Sequence, residues 1–198
     1  MSKILDLYKD ILENKHRFDD EIFEAEIYKS AVPHLTIIDL GAFQGEFSFY
    51  CYNFADKIYA IEPDPTPYAV LKERVDKYSL DKIKLFPIAL SNNSEDQNFF
   101  ASGYGGSYLV GETNGEHIKV KCSTLAQFMK DNKIDHVDIL KVDIEDGENA
   151  VFNSSDFKDV ADKIDVIIGE HLGSVEQLLL DYGFKKTVVE GNNLLFKR

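Results

Sequence analysis

The chain has 198 residues, 44% of them hydrophobic, and a formal net charge of −13 from 22 basic and 35 acidic side chains. This length fits one domain, and this much apolar material argues against a disordered chain. The acidic surplus repels phosphate backbones and anionic lipid, so we expect no nucleic-acid partner and no membrane partner. Cys51 and Cys122 are too few for a disulfide scaffold or a Cys-only zinc site. With no apolar signal segment and no membrane-spanning run, the sequence predicts a cytoplasmic protein.

The amino-terminal section predicts a helical appendage. Apolar residues recur at helical spacing over 3–14, and a second helical pattern covers 20–30. We therefore divide the chain into an appendage, 1–33, and a main domain, 34–198.

Beyond residue 35, short apolar runs alternate with helical patterns. Strands are predicted over 36–40, 57–61, 82–90, 137–143 and 165–169, and helices over 45–54, 67–78 and 174–182. Strands over 185–190 and 193–197, joined by a Gly-Asn turn signal, predict a terminal hairpin. Residues 91–135 interrupt the alternation and predict an inserted hairpin before the fourth strand. This alternation predicts an α/β fold with a doubly wound, mostly parallel sheet.

A glycine loop follows the first predicted strand. Asp39 lies near the end of that strand, and Gly41 and Gly45 lie in the turn that leads into a helix. Glycine allows a tight turn and a close approach to a ligand, and the following helix offers unpaired N–H groups. The loop is therefore a candidate ligand site, and the alternative is an ordinary β–α turn capped by an aspartate.

An acidic residue, Glu62, ends the second strand 21 positions past Gly41 and is followed by Pro63. An acid at this place can accept hydrogen bonds from both hydroxyls of a ribose, whereas the alternative is a surface carboxylate. Together with the glycine loop it predicts an adenosine-type ligand. A dinucleotide site favours G-x-G-x-x-G, but Ala42 and Phe43 follow the first glycine here. The bulky pair disfavours NAD and favours S-adenosylmethionine, which has no pyrophosphate and carries a cationic sulfonium.

Acidic residues also follow the fourth strand. Asp143 and Glu145 alternate off its end, so we expect both to face the ligand crevice, where one could bind substrate or act as a base. Asp146 and Glu148 fall in the first turn of a helix, where acids are common for dipole reasons alone. Four acids also permit a Mg²⁺ site, but we predict no metal.

Two further features could carry chemistry. His171 follows Glu170 at the end of the fifth main strand and could take the proton of an attacking hydroxyl. The alternative is a loop histidine with satisfied hydrogen bonds. In the insertion, Tyr104, two glycines and Ser107 form a loop that could close over substrate, or a simple hairpin turn.

The order of these motifs resembles the FkbM family of methyltransferases. The segments that carry the resemblance are IIDLGAFQGEFS, YAIEPDP, IALSN, the YGGSY loop, VKCSTLAQF, DILKVDIEDGE, GEH and LLLDYGF, between residues 36 and 198. The resemblance implies the seven-stranded fold of class I methyltransferases, S-adenosylmethionine as cofactor, and O-methylation of a small-molecule hydroxyl, often on a sugar or natural product.

The motifs and the resemblance together assign roles. Donor binding is assigned to Asp39, Gly41, Ala42, Phe43, Gly45, Glu62, Pro63, Ala89, Leu90, Ser91 and Asp143. Catalysis is assigned to His171, Asp143 and Glu145, and acceptor binding to Tyr104, Ser107 and Glu170.

Three features depart from the family pattern. Asp146 replaces a glycine that appears one place later as Gly147, and Ala126 replaces an acid. Glu170 and His171 also lack the residue that separates them in the family. The Asp146 departure supports one alternative, a non-catalytic adenosine-binding module. An NAD-dependent oxidoreductase on the same type of sheet stays open as a second alternative.

Overall fold

The computed structural model describes residues 35–103, 106–110, 117–145, 147–188 and 194–198. The predicted appendage over 1–33, the predicted turn at 191–192, Tyr104 and Asp146 lie outside the described residues.

The described residues form twelve strands and five α-helices. The strands are β1 (Leu35–Leu40), β2 (Ala55–Ile61), β3 (Ile83–Phe86), β4 (Ala89–Leu90), β5 (Gln97–Phe100), β6 (Tyr108–Val110), β7 (Ile118–Val120), β8 (Cys122–Ser123), β9 (Val137–Val142), β10 (Ile164–Gly169), β11 (Lys185–Val188) and β12 (Leu194–Lys197). The helices are α1 (Glu46–Cys51), α2 (Pro65–Tyr78), α3 (Leu125–Asp131), α4 (Glu148–Phe152) and α5 (Glu176–Asp181). Within the described ranges, no helix combines the length and the apolar character needed to cross a membrane.

A seven-stranded sheet in the order β11-β12-β10-β9-β1-β2-β3 forms the centre of the fold. Strands β1, β2, β3, β9 and β10 run parallel, and β12 pairs antiparallel with β10 and β11. The chain proceeds outward from β1 through β2 and β3, then returns to the other side of β1 for β9. This order confirms the predicted doubly wound, mostly parallel sheet and places its topological switch point between β1 and β9.

The central strands are apolar on both faces because both faces of the sheet are covered. Ile37 of β1 belongs to one buried apolar cluster and its neighbour Ile38 to another, and both side chains are fully buried. Alternating residues of a strand point to opposite faces, so the two clusters lie on either side of the sheet. This double burial explains why the parallel strands read as continuous apolar runs in the sequence.

The strand predicted over 82–90 is divided in the structure. Strand β3 ends at Phe86, directly before Pro87, which has no N–H to donate to a ladder. Beyond the proline, β4 leaves the central sheet and pairs in parallel with β8.

The insertion is larger than the predicted hairpin. It contains a three-stranded antiparallel sheet in the order β6-β5-β7, in which Phe99 of β5 lies opposite both Leu109 and Ile118. Phe99 is buried and packs with Ala89 of β4 and with Val120. The insertion therefore has a small core of its own, which lies beside the carboxyl ends of the central strands.

Candidate functional site

A cavity of about 510 Å³ opens beyond the carboxyl ends of β1, β2, β9 and β10. This is the place where open α/β sheets bind ligands, and the size suits a nucleoside-sized molecule. The predicted site residues that line it are Gly41, Ala42, Phe43, Glu62, Pro63, Ala89, Leu90, Ser107, Asp143, Glu145 and Glu170. Asp39, Gly45, Ser91 and His171 are described by the structure but do not line it.

Residues 41–45, which we call the donor loop, connect β1 to α1 over the switch point. Gly41 has a φ of +79°, and a Cβ there would collide with the backbone carbonyl of Asp143 at the end of β9. Gly45 has a φ of +99°, and a Cβ there would meet the ring of Phe49 at 2.5 Å. Both glycines are thus required by the fold itself. Phe43 also adopts a left-handed φ of 49°, which is uncommon for a non-glycine residue.

Glu62 joins the donor loop to the loop that follows β2. Its Oε2 accepts a hydrogen bond from the N–H of Phe43 at 2.8 Å, and its Oε1 accepts one from the N–H of Asp64 at 2.8 Å. Burial raises the pKa of Glu62 to about 7, against the opposing effect of these two N–H groups. Each carboxylate oxygen keeps a second lone pair, so Glu62 can still accept hydrogen bonds from a ligand in the cavity.

Asp39 is buried next to the donor loop and does not line the cavity. Its carboxylate is completely buried, and Oδ2 accepts a hydrogen bond from the hydroxyl of Ser48 at 2.6 Å. Burial raises the pKa of Asp39, while the nearby ammonium group of Lys141 opposes that rise. Asp39 therefore fixes the strand–loop junction, and the structure gives it no direct access to a ligand.

Lys141 is a site residue that sequence analysis missed. It lies on β9 in register with Asp39 of β1, and its Nζ donates a hydrogen bond to the carbonyl oxygen of Gly41 at 2.7 Å. The same Nζ is 3.5 Å from the carboxylates of both Asp39 and Asp143. The sequence signal that could have identified Lys141 is a single cation in an otherwise apolar run, ILKV. A lysine in such a run is expected to be buried, and a buried lysine needs a partner of opposite charge.

The acids after β9 do not continue the strand, although both line the cavity. Strand β9 ends at Val142, and Glu145 lies in a turn with a left-handed φ of 50°. The expected alternation off the strand is therefore wrong, but Asp143 and Glu145 still reach the cavity. Glu148 is buried beneath them, where its Oε1 accepts a hydrogen bond from the N–H of Ile144 at 3.3 Å. Burial raises the pKa of Glu148.

The structure does not bring His171 into the cavity. Its backbone is left-handed, with a φ of 56°, at the start of a 3₁₀ turn over Leu172–Val175. The imidazole is 45% exposed, and its Nε2 lies 3.7 Å from the carboxylate of Glu170. Glu170 lines the cavity, so the adjacent acid and not the histidine faces the space for a ligand.

The insertion forms one wall of the cavity through Phe99, Gly106, Ser107, Tyr108 and Leu109. Ser107 is already engaged, because its Oγ donates a hydrogen bond to Asp64 Oδ2 at 2.7 Å.

Ala89 and Leu90 of β4 also line the cavity and present an apolar surface beside Phe99. Ser91, which follows them, is buried and accepts a hydrogen bond from Gln97 Nε2 at 3.0 Å. Sequence analysis thus identified Ala89, Leu90 and Ser107 as cavity residues, but it missed Phe99, Tyr108 and Leu109 of the insertion.

A possible cation-binding group in the described residues lies away from this cavity. His136, Asp138 and Asp165 offer three ligand atoms within 4.8 Å of one another. They are at the amino ends of β9 and β10, whereas the cavity is at the carboxyl ends.

Solved structures share this fold at low sequence identity. Methyltransferase FkbM from Methylobacillus flagellatus is 13% identical with a TM-score of 0.61, and the match covers 86% of this chain and 45% of that one. An S-adenosylmethionine-dependent methyltransferase from Aquifex aeolicus is 14% identical with a TM-score of 0.53 and 95% of each chain covered. An rRNA methylase from Streptococcus thermophilus is 7% identical with a TM-score of 0.50, covering 90% of this chain and 92% of that one.

These likenesses establish the fold alone. The chain spans less than half the length of the Methylobacillus protein. No curated protein matches the chain. The model of the methyltransferase FkbM domain, however, matches residues 39–186, which is about three quarters of the sequence. The match contains the donor loop, Glu62 and the acids after β9 and β10, and the chain belongs to the FkbM methyltransferase family.

Proposed function

We propose that this chain uses S-adenosylmethionine to methylate a hydroxyl group of a small molecule, with sugar-like polyols as the first acceptors to test. The family is one of methyltransferases, and the cofactor it implies is S-adenosylmethionine. The observation that carries the proposal is Glu62, a buried carboxylate at the edge of the cavity that fixes the donor loop and can accept further hydrogen bonds. The cytoplasmic location and the division at residue 33 stay predictions.

The residues of the cavity fit a nucleoside methyl donor. Glu62 would accept hydrogen bonds from the ribose hydroxyls, as an acid at the end of the second strand does in related α/β folds. Ala89 and Leu90 offer an apolar wall against which the adenine ring of the donor can pack. When bound, S-adenosylmethionine supplies a methyl group activated by a positively charged sulfur. Phe43 leaves less room at the loop than the glycine of a dinucleotide site, which disfavours NAD.

The acceptor would bind at the ends of β9 and β10. Asp143, Glu145 and Glu170 line this part of the cavity and can accept hydrogen bonds from hydroxyl groups. Asp143 and Glu145 are the predicted bases that line the cavity, so we assign the removal of the hydroxyl proton to one of these two carboxylates. His171 does not line the cavity, and a base must come within hydrogen-bond reach of the proton it takes, so that step is not assigned to His171.

Charge favours a small neutral acceptor over nucleic acid. Five acidic residues and one basic residue, Lys141, line the cavity in the described part of the chain. Lys141 is bonded to the carbonyl of Gly41 and paired with two carboxylates, which offset its charge. Phosphate groups would be repelled by this lining, so the described part of the cavity favours an uncharged acceptor over a phosphate-bearing one.

Calorimetric titration with S-adenosylmethionine, S-adenosylhomocysteine and NAD tests this proposal. We expect the two sulfur nucleosides to bind and NAD not to bind. Binding of NAD alone would point to hydride chemistry instead. Binding of S-adenosylhomocysteine without methyl transfer to any hydroxyl acceptor, followed with isotopically labelled donor, would favour the non-catalytic module.

A further inference from the structure

Gln44, in the donor loop, has a buried side-chain oxygen that no described residue binds. It is the only polar side chain of that loop, it lines the cavity, and it is only 9% exposed. Its Oε1 is buried and accepts no hydrogen bond from the part of the chain that the structure describes. Native proteins keep few such atoms, because a buried acceptor without a partner has lost its hydrogen bonds to water.

The shape of the loop does not depend on this amide. The N–H of Phe43 is held by Glu62, and Arg74 donates a hydrogen bond to the backbone carbonyl of Gln44 at 3.1 Å. Arg74 is itself buried, and its guanidinium lies 3.5 Å from the carboxylate of Glu46. The backbone at Gln44 is therefore fixed from both sides, while its side-chain oxygen is left without a partner.

An apolar side chain of similar size would satisfy the packing at this position. Phe47, Pro67 and Phe99 line the same cavity and offer apolar surface. A methionine in place of Gln44 would bury no unpaired oxygen and would therefore make the protein more stable without ligand. A polar group kept at such a cost is typical of a ligand-binding residue.

We propose that the side-chain amide of Gln44 hydrogen-bonds the bound methyl donor. The inference rests on the proposed function, because the ligand it names is S-adenosylmethionine. Once the amide turns toward the cavity that Gln44 lines, the ribose hydroxyls and the α-amino group of this nucleoside can donate to Oε1, and its carboxylate can accept from the amide N–H. The contact adds a polar side chain to a loop that otherwise offers only backbone groups.

The test compares Gln44→Met with the wild type in two measurements. Calorimetry gives the affinity for S-adenosylhomocysteine, and for 5′-methylthioadenosine, which lacks the amino-acid part. Thermal unfolding without nucleoside gives the stability. We expect Gln44→Met to bind S-adenosylhomocysteine about 5- to 20-fold more weakly and to melt about 2–4 °C higher. The matched control is Gln177→Met, because Gln177 is exposed and bonded to Asp181, and it should change neither quantity.

The outcomes distinguish a ligand-binding role of Gln44 from a structural one, and both from failure of the proposed function. Weaker binding of both nucleosides places the contact on the nucleoside part, and weaker binding of S-adenosylhomocysteine alone places it on the amino-acid part; both support the inference. Unchanged affinity overturns it, and so does a Gln44→Met protein that melts below the wild type, since the amide is then structural. If the wild type binds neither nucleoside, the proposed function itself fails and this inference fails with it.

Discussion

Asp64 and Ser107, 43 positions apart in the chain, are joined by a hydrogen bond of 2.7 Å from the serine hydroxyl to the buried carboxylate. The same Oδ2 accepts the N–H of Gly103 at 2.9 Å, and Oδ1 accepts the N–H of Thr66 at the start of α2. Asp64 thus caps a helix and holds the insertion at once. Its own N–H donates to Glu62, so the wall of the cavity formed by the insertion is tied to the residue assigned to the ribose.

Ser107→Ala should loosen the insertion while leaving the helix cap intact. The variant loses the hydrogen bond to the buried carboxylate and the bonds of the Ser107 hydroxyl with the N–H and the hydroxyl of Ser102, which should lower the free energy of unfolding by about 2–3 kcal/mol. Hydrogen exchange should become faster at the N–H of Gly103, which shares the carboxylate. Mass spectrometry of exchanged peptides and urea unfolding measure these effects. Ser94→Ala, at an exposed position in a neighbouring loop, is the control. Equal exchange in the two variants would show that the Ser107–Asp64 hydrogen bond does not hold the insertion.

Donor affinity should depend on pH through Glu62. Burial raises the pKa of this carboxyl to about 7, so about half of it is protonated at neutral pH. The ionised form accepts hydrogen bonds with both oxygens, whereas protonation turns one of them into a donor. The affinity for S-adenosylhomocysteine should therefore fall about tenfold between pH 8 and pH 6.

Two variants isolate the contribution of the Glu62 carboxyl to this pH dependence. In Glu62→Gln the affinity should be lower at pH 8, and the part of the pH dependence centred near pH 7 should disappear. Glu73→Gln, at an exposed position of α2, should behave like the wild type in calorimetry at pH 6, 7 and 8. A pH profile that persists in Glu62→Gln would mean that another group titrates.

Lys141→Met should destabilise the fold strongly, since it leaves the buried carboxylate of Asp39 without a cation. Removal of one partner of a buried ion pair costs about 3–5 kcal/mol. The double variant Asp39→Asn/Lys141→Met removes both charges and should recover a large part of that loss. Urea unfolding of the two single variants, the double variant and the wild type gives the coupling energy. Additive effects would show that the pair seen at 3.5 Å does not stabilise the protein.

The sequence predicted the sheet well because β1, β2, β9 and β10 are buried on both faces and are therefore continuous apolar runs. The insertion was predicted poorly, since its strands have two to four residues and depend on long-range pairing such as Phe99 with Ile118. Lys141 was missed because its meaning depends on Asp39 in the neighbouring strand, which only the register shows. His171 was predicted as a base from its residue type and position. Its backbone is left-handed, and a residue other than glycine gives no sequence signal for that conformation.

His171→Gly should stabilise the protein, because His171 has a φ of 56° that glycine adopts without steric strain. We expect the free energy of unfolding to rise by about 1 kcal/mol in urea titrations. Ser79→Gly is the matched control, since Ser79 ends α2 with a φ of 51° and lies outside the cavity. If only Ser79→Gly gains stability, the contact of the His171 imidazole with the Glu170 carboxylate at 3.7 Å outweighs the backbone strain. The variant also tests catalysis: methyl transfer that survives in His171→Gly supports a cavity carboxylate as the base, and loss of transfer with unchanged S-adenosylhomocysteine affinity would return that role to the histidine.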